Sequence, residues 1–369
     1  MSASVSQRAG VPPADFELPP FYCPIEAAIH PRVDAIAEHA IAWIDRCALC
    51  ESDAERGWIL ATSSAEFYAR FAPAGREENV LCAALWVYWG FAFDDARCDG
   101  GPLSTRPAQF AALAGRLQHI LRFPQQPLHT GDRFDVALRD IALTLGRCAT
   151  PLQVRRFNDA HRHWLSCVHW QIANRARCHM PDLSDYTAMR LGSCGGPPTL
   201  ALLEIANAME IPQAEMGSPA VRALTAMAWL VAGWDNDLHS YRKEAHQQEA
   251  EQNIVNVLVH HEDCSVEQAL LSAVAMRDRV MHLFLQVREK TLAGASEPLR
   301  SYLMGLGHGI RGNIDWALSV QRYTSVGDTG VPPGPGQARQ PGWSDEPSDA
   351  SPVPLPIPPI RWWWEQLDA

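Results

Sequence analysis

Apolar residues recur at helical spacing through most of the 369-residue chain. Near the start of this pattern, apolar side chains three and four positions apart outline one helix face: Val33, Ile36, Ala37, Ala40, Trp43, Ile44 and Cys47. Comparable amphipathic patterns occupy residues 77–95, 105–122, 152–175, 219–240, 265–292 and 297–320. Few segments show the two-residue alternation of a half-buried strand. The pattern therefore predicts an all-α fold, a single-domain bundle of helices.

The two ends of the chain lack this helical pattern. Residues 1–21 are polar and rich in Pro, which predicts a flexible N-terminal segment before a helical domain at residues 22–324. Residues 325–369 are dense in Pro and Gly and cannot continue a helix, so they are predicted to form a tail. Three consecutive tryptophans at 362–364 lie near its end. Two interpretations stay open, a solvated tail and a tail whose Trp cluster docks on the helical body.

Composition narrows the classes of function. Hydrophobic residues make up 47% of the chain and charged residues 20%, values that are ordinary for a globular protein with a large core. The formal net charge of -11, without a long basic stripe, disfavours nucleic acid as a partner. The N-terminus has no apolar signal-peptide core, and no segment is apolar over the length of a bilayer. With ten scattered Cys expected as reduced thiols, the sequence predicts a cytoplasmic protein without a membrane span.

An acidic cluster follows a strongly aromatic run. In LWVYWGFAFDDARCD, Asp94, Asp95 and Asp99 fall within about a turn and a half of helix, and Gly100 and Gly101 predict that the helix ends there. Asp95 and Asp99 share a face, while Asp94 lies about a hundred degrees round from Asp95. Clustered carboxylates beside apolar side chains repel one another unless a cation is bound, and hard divalent cations prefer oxygen ligands. The cluster is a candidate metal site, with a solvated acidic helix end as the alternative.

A second polar motif, NDLHSYRKE, follows the apolar run MAWLVAGW. On a helix, Asn236, Ser240 and Glu244 lie at steps of four and stack on one face. They present an amide oxygen, a hydroxyl and a carboxylate in a line, which makes a set of three oxygen donors. This set predicts a second metal-binding helix, and the alternative is a polar helix face in solvent.

Together, the two motifs resemble those of class I terpene synthases, the bacterial terpene cyclase family. DDARCD resembles the aspartate-rich motif of that family, and Asn236, Ser240 and Glu244 match its NSE triad one for one. The resemblance runs from about Phe21 to Tyr323 and implies an all-α bundle around a central apolar cavity. It also implies metal ions held by oxygen ligands from both motifs: Asp94, Asp95, Asp99, Asn236, Ser240 and Glu244.

Further residues match positions at which the family binds diphosphate. Arg190, upstream of the triad, stands where the resemblance places a diphosphate-sensing Arg. Arg322 and Tyr323 match an Arg-Tyr pair near the end of the helical body, and Lys243 lies within the second motif. The resemblance implies that these four side chains donate hydrogen bonds to the diphosphate group.

A helix break is predicted after Arg190 by the segment GSCGGPP. By the family's spacing, Ser193 is the linker and Cys194 the effector, the residue whose carbonyl assists the departing diphosphate. Gly is commoner at the effector position, and Gly195 follows Cys194 directly. Whether Cys194 or Gly195 supplies the carbonyl therefore stays open.

The activity that the resemblance implies is Mg²⁺-dependent ionisation of a prenyl diphosphate, followed by cyclisation of the carbocation to a terpene hydrocarbon or alcohol. Three Mg²⁺ ions would neutralise the diphosphate group. Farnesyl diphosphate is the first choice of substrate, and geranyl or geranylgeranyl diphosphate would suit the same motifs. Aromatic faces would stabilise the cation, and the candidate residues are Phe67, Phe71, Trp86, Phe91, Trp234 and Trp316.

Two alternatives to a cyclase are kept. A chain-elongating prenyltransferase shares the helical architecture but typically carries a second aspartate-rich motif where this chain has NDLHSYRKE. A non-enzymatic helical protein would instead bind a partner through its Trp-ended tail. A second copy of the chain, forming a homodimer, is a further partner that the sequence leaves open.

Overall fold

Helices dominate the structure, a computed structural model that describes residues 17–126, 128, 131–247, 252–320 and 342–368, without the side chains of 242–247. The helices of the first half are α1 (Val33–Arg46), α2 (Asp53–Leu60), α3 (Ser64–Phe71), α4 (Glu77–Phe93), α5 (Pro107–Arg122), α6 (Arg133–Cys148) and α7 (Pro151–Ala176). Those of the second half are α8 (Leu183–Ser193), α9 (Gly196–Ala206), α10 (Gln213–Met216), α11 (Pro219–Gln247), α12 (Ile254–Glu262), α13 (Val266–Gly294) and α14 (Glu297–Ser319). Within the described residues, the strands are the two-residue β1 (Phe21–Tyr22) and β2 (Trp343–Ser344). The all-α prediction is confirmed.

Helix α4 lies at the centre of the bundle. It packs against α1, α3, α6 and α9, and nearly all of its residues from Asn79 to Phe93 are buried. A helix that is apolar on every side must be enclosed by other elements, which explains the absence of a polar stripe in its sequence. Around it, α7 packs on α5, α8 and α9, while α11 packs on α8, α13 and α14.

The end of α4 differs from an ordinary helix terminus. From Asp94 to Asp99 the chain continues as a single π-helical segment, DDARCD, in which the hydrogen bonds span five residues. The segment ends at Gly100, and Gly101 follows with a φ of 74°, a left-handed conformation that Gly adopts readily. The predicted stop at the Gly pair is therefore where the helix ends.

The two ends of the described chain meet on the helical body. β1 pairs in parallel with β2, with Phe21 opposite Trp343 and Tyr22 opposite Ser344. Beyond β2, a 3-10 helix at Pro358–Leu367 packs on α8, α11 and α13 and buries Trp363 and Trp364. Aromatic side chains each bury roughly 150–250 Å², so burial of these two rings favours docking of this segment on the helical body.

A buried ion network connects these terminal segments to α11 and α13. The Arg277 guanidinium donates to both carboxylate oxygens of Asp235, at 2.7 and 3.2 Å, and also to the Tyr22 carbonyl. Asp278 accepts from the Tyr22 amide at 3.0 Å and from the Ser348 amide at 2.9 Å. All three charged side chains are fully buried. The segments around Tyr22 and Ser348 are therefore both held by the residue pair at the centre of α13.

No helix among the described residues is long and apolar enough to cross a membrane.

Candidate active site

An aromatic pocket opens beside α4. Its empty volume is about 410 Å³, counting the part that is open to solvent. The lining residues come from α3, α4, α7, the α8/α9 junction and α11: Phe67, Trp86, Val87, Gly90, Phe91, Asp94, Trp164, Cys194, Gly195, Thr199 and Trp229. Three of the six predicted aromatic residues, Phe67, Trp86 and Phe91, therefore lie in the wall.

The other three predicted aromatics lie behind the wall or away from it. Trp316 stacks on Phe91 at a centroid distance of 5.5 Å, and Phe71 lies 4.7 Å from Phe67. Both rings are buried and support the pocket from outside. Trp234 is fully buried in α11 and does not line the pocket. It is two positions from Asn236, so the helix turns it about 200° away from that residue.

Two tryptophans of the pocket, Trp164 and Trp229, were not singled out from the sequence. Trp229 precedes Asn236 by seven positions, which is two helical turns, so both residues lie on one face of α11. That spacing is a signal that could have identified Trp229. Trp164 meets Trp86 edge to face at 5.7 Å, a contact between α7 and α4 that no local pattern reveals.

The acidic motif contributes one carboxylate to the pocket, that of Asp94. Asp95 instead accepts a hydrogen bond from the Trp58 indole at 2.9 Å. Asp99 pairs with Arg175 at 3.4 Å. The structure therefore places Asp94 in the pocket wall but directs Asp95 and Asp99 to α2 and α7, and their assignment as metal ligands stays a prediction.

The predicted break between α8 and α9 forms a tight junction at the pocket. Gly195 has a φ of 77°, and a Cβ there would touch Trp86 and Trp164 at 3.9 and 4.0 Å. A Cβ on Gly196 would lie 1.7 Å from the Trp229 ring, so only Gly allows this ring to approach the backbone. The GG sequence thus lets the α8/α9 junction and α11 share one wall.

Cys194 lies at the centre of this junction. Its thiol accepts from the Trp229 indole at 3.1 Å and donates to the Arg190 carbonyl at 3.3 Å. Burial raises the pKa of the Cys194 thiol, so it is neutral and less nucleophilic than a thiolate at neutral pH.

The backbone carbonyls at the junction differ in their hydrogen bonding. The Gly195 carbonyl accepts from the Thr199 amide at 3.2 Å and from its hydroxyl at 2.8 Å, and the Ser193 carbonyl accepts from Trp164 at 3.1 Å. Residues three and four positions after Cys194 are Pro197 and Pro198, which carry no N–H. The helical donors to the Cys194 carbonyl are therefore missing, whereas the Gly195 carbonyl has two.

The second motif lies on α11, and its first residue contacts Arg190. The Arg190 guanidinium donates to the Asn236 side-chain oxygen at 3.0 Å and pairs with Asp237 at 2.5 Å. Asp237 also accepts from the Tyr186 hydroxyl and from the Ile254 amide. Burial raises the pKa of Asp237, while Arg190 and these hydrogen bonds act in the opposite direction. The packing of α8 against α11 thereby brings Arg190 and Asn236 into contact, and their assignment to the site stays a prediction.

Four of the predicted site residues cannot be placed. Arg322 and Tyr323 lie outside the described residues, as do the side chains of Lys243 and Glu244.

Ser193 is buried, and its hydroxyl has no hydrogen-bond partner among the described residues.

The donors that the structure does describe fit a hard divalent cation. Asp94, Asn236 and Ser240 offer a carboxylate, an amide oxygen and a hydroxyl, the oxygen ligands that such ions prefer. The Ser240 hydroxyl is buried, and no described residue hydrogen-bonds to it. A buried hydroxyl without a partner is costly, and a cation or its water would satisfy this oxygen.

A buried histidine behind the pocket predicts acid sensitivity. His161 is fully buried beside Trp86 and Trp164, and burial lowers its pKa to about 3. Between pH 6.5 and 3, the unfolded chain therefore binds a proton that the folded protein does not. We expect the free energy of unfolding to fall on acidification, with this residue contributing about 1.4 kcal/mol per pH unit. Urea denaturation from pH 7 to pH 5 measures this slope.

The matched variant is His161→Gln, which removes the titrating group. Its slope should be smaller than that of the wild type by about one proton, while His239, whose pKa burial lowers to about 4, keeps its own contribution. Equal slopes in the two proteins would contradict the assignment to His161.

Comparison with known proteins adds independent information. Residues 85–282 match the family described as terpene synthase family 2, C-terminal metal binding. Spiroviolene synthase from Streptomyces violens is 46% identical over 353 residues, which cover 95% of this chain and 97% of that protein. A diterpene cyclase, DtcycB, from a Streptomyces species is 31% identical over 361 residues, covering 96% of this chain and all of that protein.

Solved structures agree with this similarity. The crystal structure of the SVS_A2 protein from ancestral sequence reconstruction is similar with a TM-score of 0.85 and 51% identity. The match covers 95% of this chain and 99% of that chain.

Proposed function

The chain belongs to the terpene synthase family, and from that premise we propose that it uses Mg²⁺ to ionise a prenyl diphosphate and cyclise the resulting carbocation. Family membership makes the protein a lyase with a divalent-metal domain, so the non-enzymatic alternative is wrong. The observation that carries the proposal is the aromatic pocket with the Asp94 carboxylate in its wall. An apolar pocket with one carboxylate suits a substrate that has a hydrocarbon chain and an anionic head bound through metal ions.

Asp94, Asn236, Ser240 and Glu244 are the residues that we propose as metal ligands. A bound divalent cation acts as a Lewis acid that stabilises the negative charge developing on a leaving diphosphate. Mg²⁺ and the number of three ions are part of the proposal, because the resemblance implies them. Asp94 lies in the pocket and the triad begins beside Arg190, so the proposed anionic head lies between α4 and α11.

Arg190 is proposed as a hydrogen-bond donor to the diphosphate, and its side chain is the one of the four proposed donors that lies within the described residues. Its guanidinium can place two parallel hydrogen bonds on an anion, and it remains charged at any physiological pH. Lys243, Arg322 and Tyr323 are proposed to complete the set of donors on the basis of the resemblance. Stabilising charge that develops on the departing group lowers the barrier to breaking the carbon–oxygen bond.

The pocket wall protects and stabilises the cation. Trp86, Trp164 and Trp229 offer aromatic faces, whose negative quadrupole attracts positive charge. In the proposed reaction the wall also has to keep water from the cation, because water would capture it before ring closure. We propose Cys194 rather than Gly195 as the effector, since Pro197 and Pro198 leave its carbonyl without helical donors while the Gly195 carbonyl is engaged by Thr199.

The proposal also concerns the length of the prenyl chain in the substrate. Farnesyl diphosphate is the substrate predicted from the sequence. Geranylgeranyl diphosphate is a second candidate, favoured by the similarity over the whole chain to a protein named a diterpene cyclase. A homodimer likewise stays a prediction.

Incubation with geranyl, farnesyl and geranylgeranyl diphosphate in separate reactions with Mg²⁺ tests the proposal. We expect one of them to give a cyclic hydrocarbon or alcohol by gas chromatography and mass spectrometry, together with released diphosphate. Reactions without metal should give none, because the leaving group is then not stabilised. Formation of longer prenyl diphosphates when isopentenyl diphosphate is added would instead support the prenyltransferase alternative. No diphosphate release from any of the three would contradict the proposal.

A further inference from the structure

One nitrogen of Arg190 connects three acceptors on α11. Its Nη2 atom lies 3.0 Å from the Asn236 Oδ1 atom, 2.5 Å from the Asp237 carboxylate and 3.3 Å from the Gly233 carbonyl. The side chain is 11% exposed, so these contacts are made at the edge of the core and not in bulk solvent. The amide oxygen of Asn236, a proposed metal ligand, is thus already hydrogen-bonded to a cationic group.

A guanidinium and a divalent ion cannot share this oxygen without cost. A metal ion bound to Asn236 Oδ1 would lie within about 5 Å of the Arg190 Nη2 atom, and like charges at that distance repel strongly where the effective dielectric is low. The hydrogen bond to Arg190 must therefore break, or lengthen considerably, before a cation takes this position.

Asp237 differs from Asn236 because its carboxylate is held from several directions. One oxygen accepts from the Tyr186 hydroxyl of α8 and from the Ile254 amide at the start of α12, at 3.0 Å for the latter. The Asp237 carbonyl accepts from the Asn253 side chain at 3.0 Å. The carboxylate is fixed in place and can keep its ion pair while the Arg190 side chain turns.

We propose that Arg190 blocks the metal-ligand oxygen of Asn236 in the metal-free protein, and that diphosphate draws Arg190 away while Asp237 serves as its pivot. This inference rests on the proposed function. Metal ions then bind weakly until a diphosphate arrives, because the anion both attracts the guanidinium and releases the Asn236 oxygen. Asp237 and Tyr186 are positioning residues, since they act through Arg190 and not on the substrate.

The proposal predicts opposite effects on two affinities in Arg190→Met. Binding of Mn²⁺ alone, followed by the electron paramagnetic resonance signal of the free ion, should tighten about ten-fold, because the competing charged hydrogen bond is lost. Binding of inorganic diphosphate in saturating Mg²⁺, followed by calorimetry, should weaken at least ten-fold. A merely structural role for Arg190 would weaken both.

A double variant controls for two other effects of Arg190→Met, which are misfolding and a change in the net charge of the site. Arg190→Met leaves Asp237 buried without its cation, which can destabilise the fold. Adding Asp237→Asn removes both charges, keeps the net charge of the site and leaves an amide oxygen for Tyr186 and Ile254. The double variant should show the same tightening of Mn²⁺, whereas Arg279→Met, which removes a cation paired with Asp349 elsewhere, should change neither affinity.

The outcomes separate this inference from the proposed function. If Mn²⁺ affinity is unchanged or weaker in both the single and the double variant, the blocking role of Arg190 is overturned. If Mn²⁺ in the presence of saturating inorganic diphosphate binds Asn236→Ala as tightly as the wild type, the metal-site assignment fails instead, whatever Arg190 does.

Discussion

Asn236→Ala is expected to reduce the rate of terpene formation by about a thousand-fold, the loss typical of removing one preorganised group that stabilises a leaving anion. The variant deletes an oxygen donor from the proposed metal site and also the acceptor of the Arg190 hydrogen bond. The rate of product formation by gas chromatography, at saturating Mg²⁺ and the preferred prenyl diphosphate, is the measurement.

The control is Asn158→Ala, which removes an amide side chain from a half-buried position of α7. It should retain the activity of the wild type, and thermal unfolding should show that both variants are folded. An Asn236→Ala enzyme that keeps more than half of the wild-type rate would contradict the site assignment.

Arg277→Met is expected to lower the free energy of unfolding by about 3–5 kcal/mol, the usual effect of removing one partner from a buried ion network. The Asp235 and Asp278 carboxylates would remain buried without their cation, and the Tyr22 carbonyl would lose a donor. Burial raises the pKa of Asp235 to about 6 even with Arg277 present. In the variant the pKa of Asp235 should therefore rise further, because the neighbouring cation is gone.

The raised pKa of Asp235 also predicts how the loss of stability in Arg277→Met depends on pH. A carboxyl whose pKa is higher in the folded protein than in the unfolded chain binds its proton preferentially when folded, so it favours folding at low pH. The difference between wild type and Arg277→Met should therefore narrow from pH 8 to pH 5 in urea denaturation. The control is Arg279→Met, whose partly exposed pair with Asp349 should contribute less than about 1 kcal/mol. A loss of similar size in both variants would refute the structural role of the network.

The sequence predicted the helices best where the apolar period was long and uninterrupted. The patterns at 152–175 and 265–292 correspond to α7 at Pro151–Ala176 and α13 at Val266–Gly294. The sequence patterns did not place the 16-residue α6, nor the shorter α2, α3, α8, α9, α10 and α12. For the shorter helices the reason is that a few turns carry too little periodicity to separate from a loop. The π-helical segment at Asp94–Asp99 was also not expected, since it depends on hydrogen bonds that side-chain pattern does not encode.

Within the candidate site, residues on one helix were easier to predict than walls made by several. The helix face that Asn236 and Ser240 share follows from their spacing on α11, and the same face includes Trp229 and excludes Trp234, while their role as metal ligands stays a prediction. Trp164 joins the pocket through packing of α7 against α4, and Asp95 leaves it because Trp58 of α2 offers a donor. Both outcomes depend on tertiary contacts, as does the burial of Trp363 against the helical body.

The most direct measurement is a crystal structure of the wild type with Mg²⁺ and inorganic diphosphate. It should show metal ions bound by Asp94 on one side and by Asn236, Ser240 and Glu244 on the other, with the anion between them and Arg190 turned from Asn236 toward it. Diphosphate bound elsewhere, or metal ions that contact neither Asp94 nor the triad, would contradict the proposed metal site.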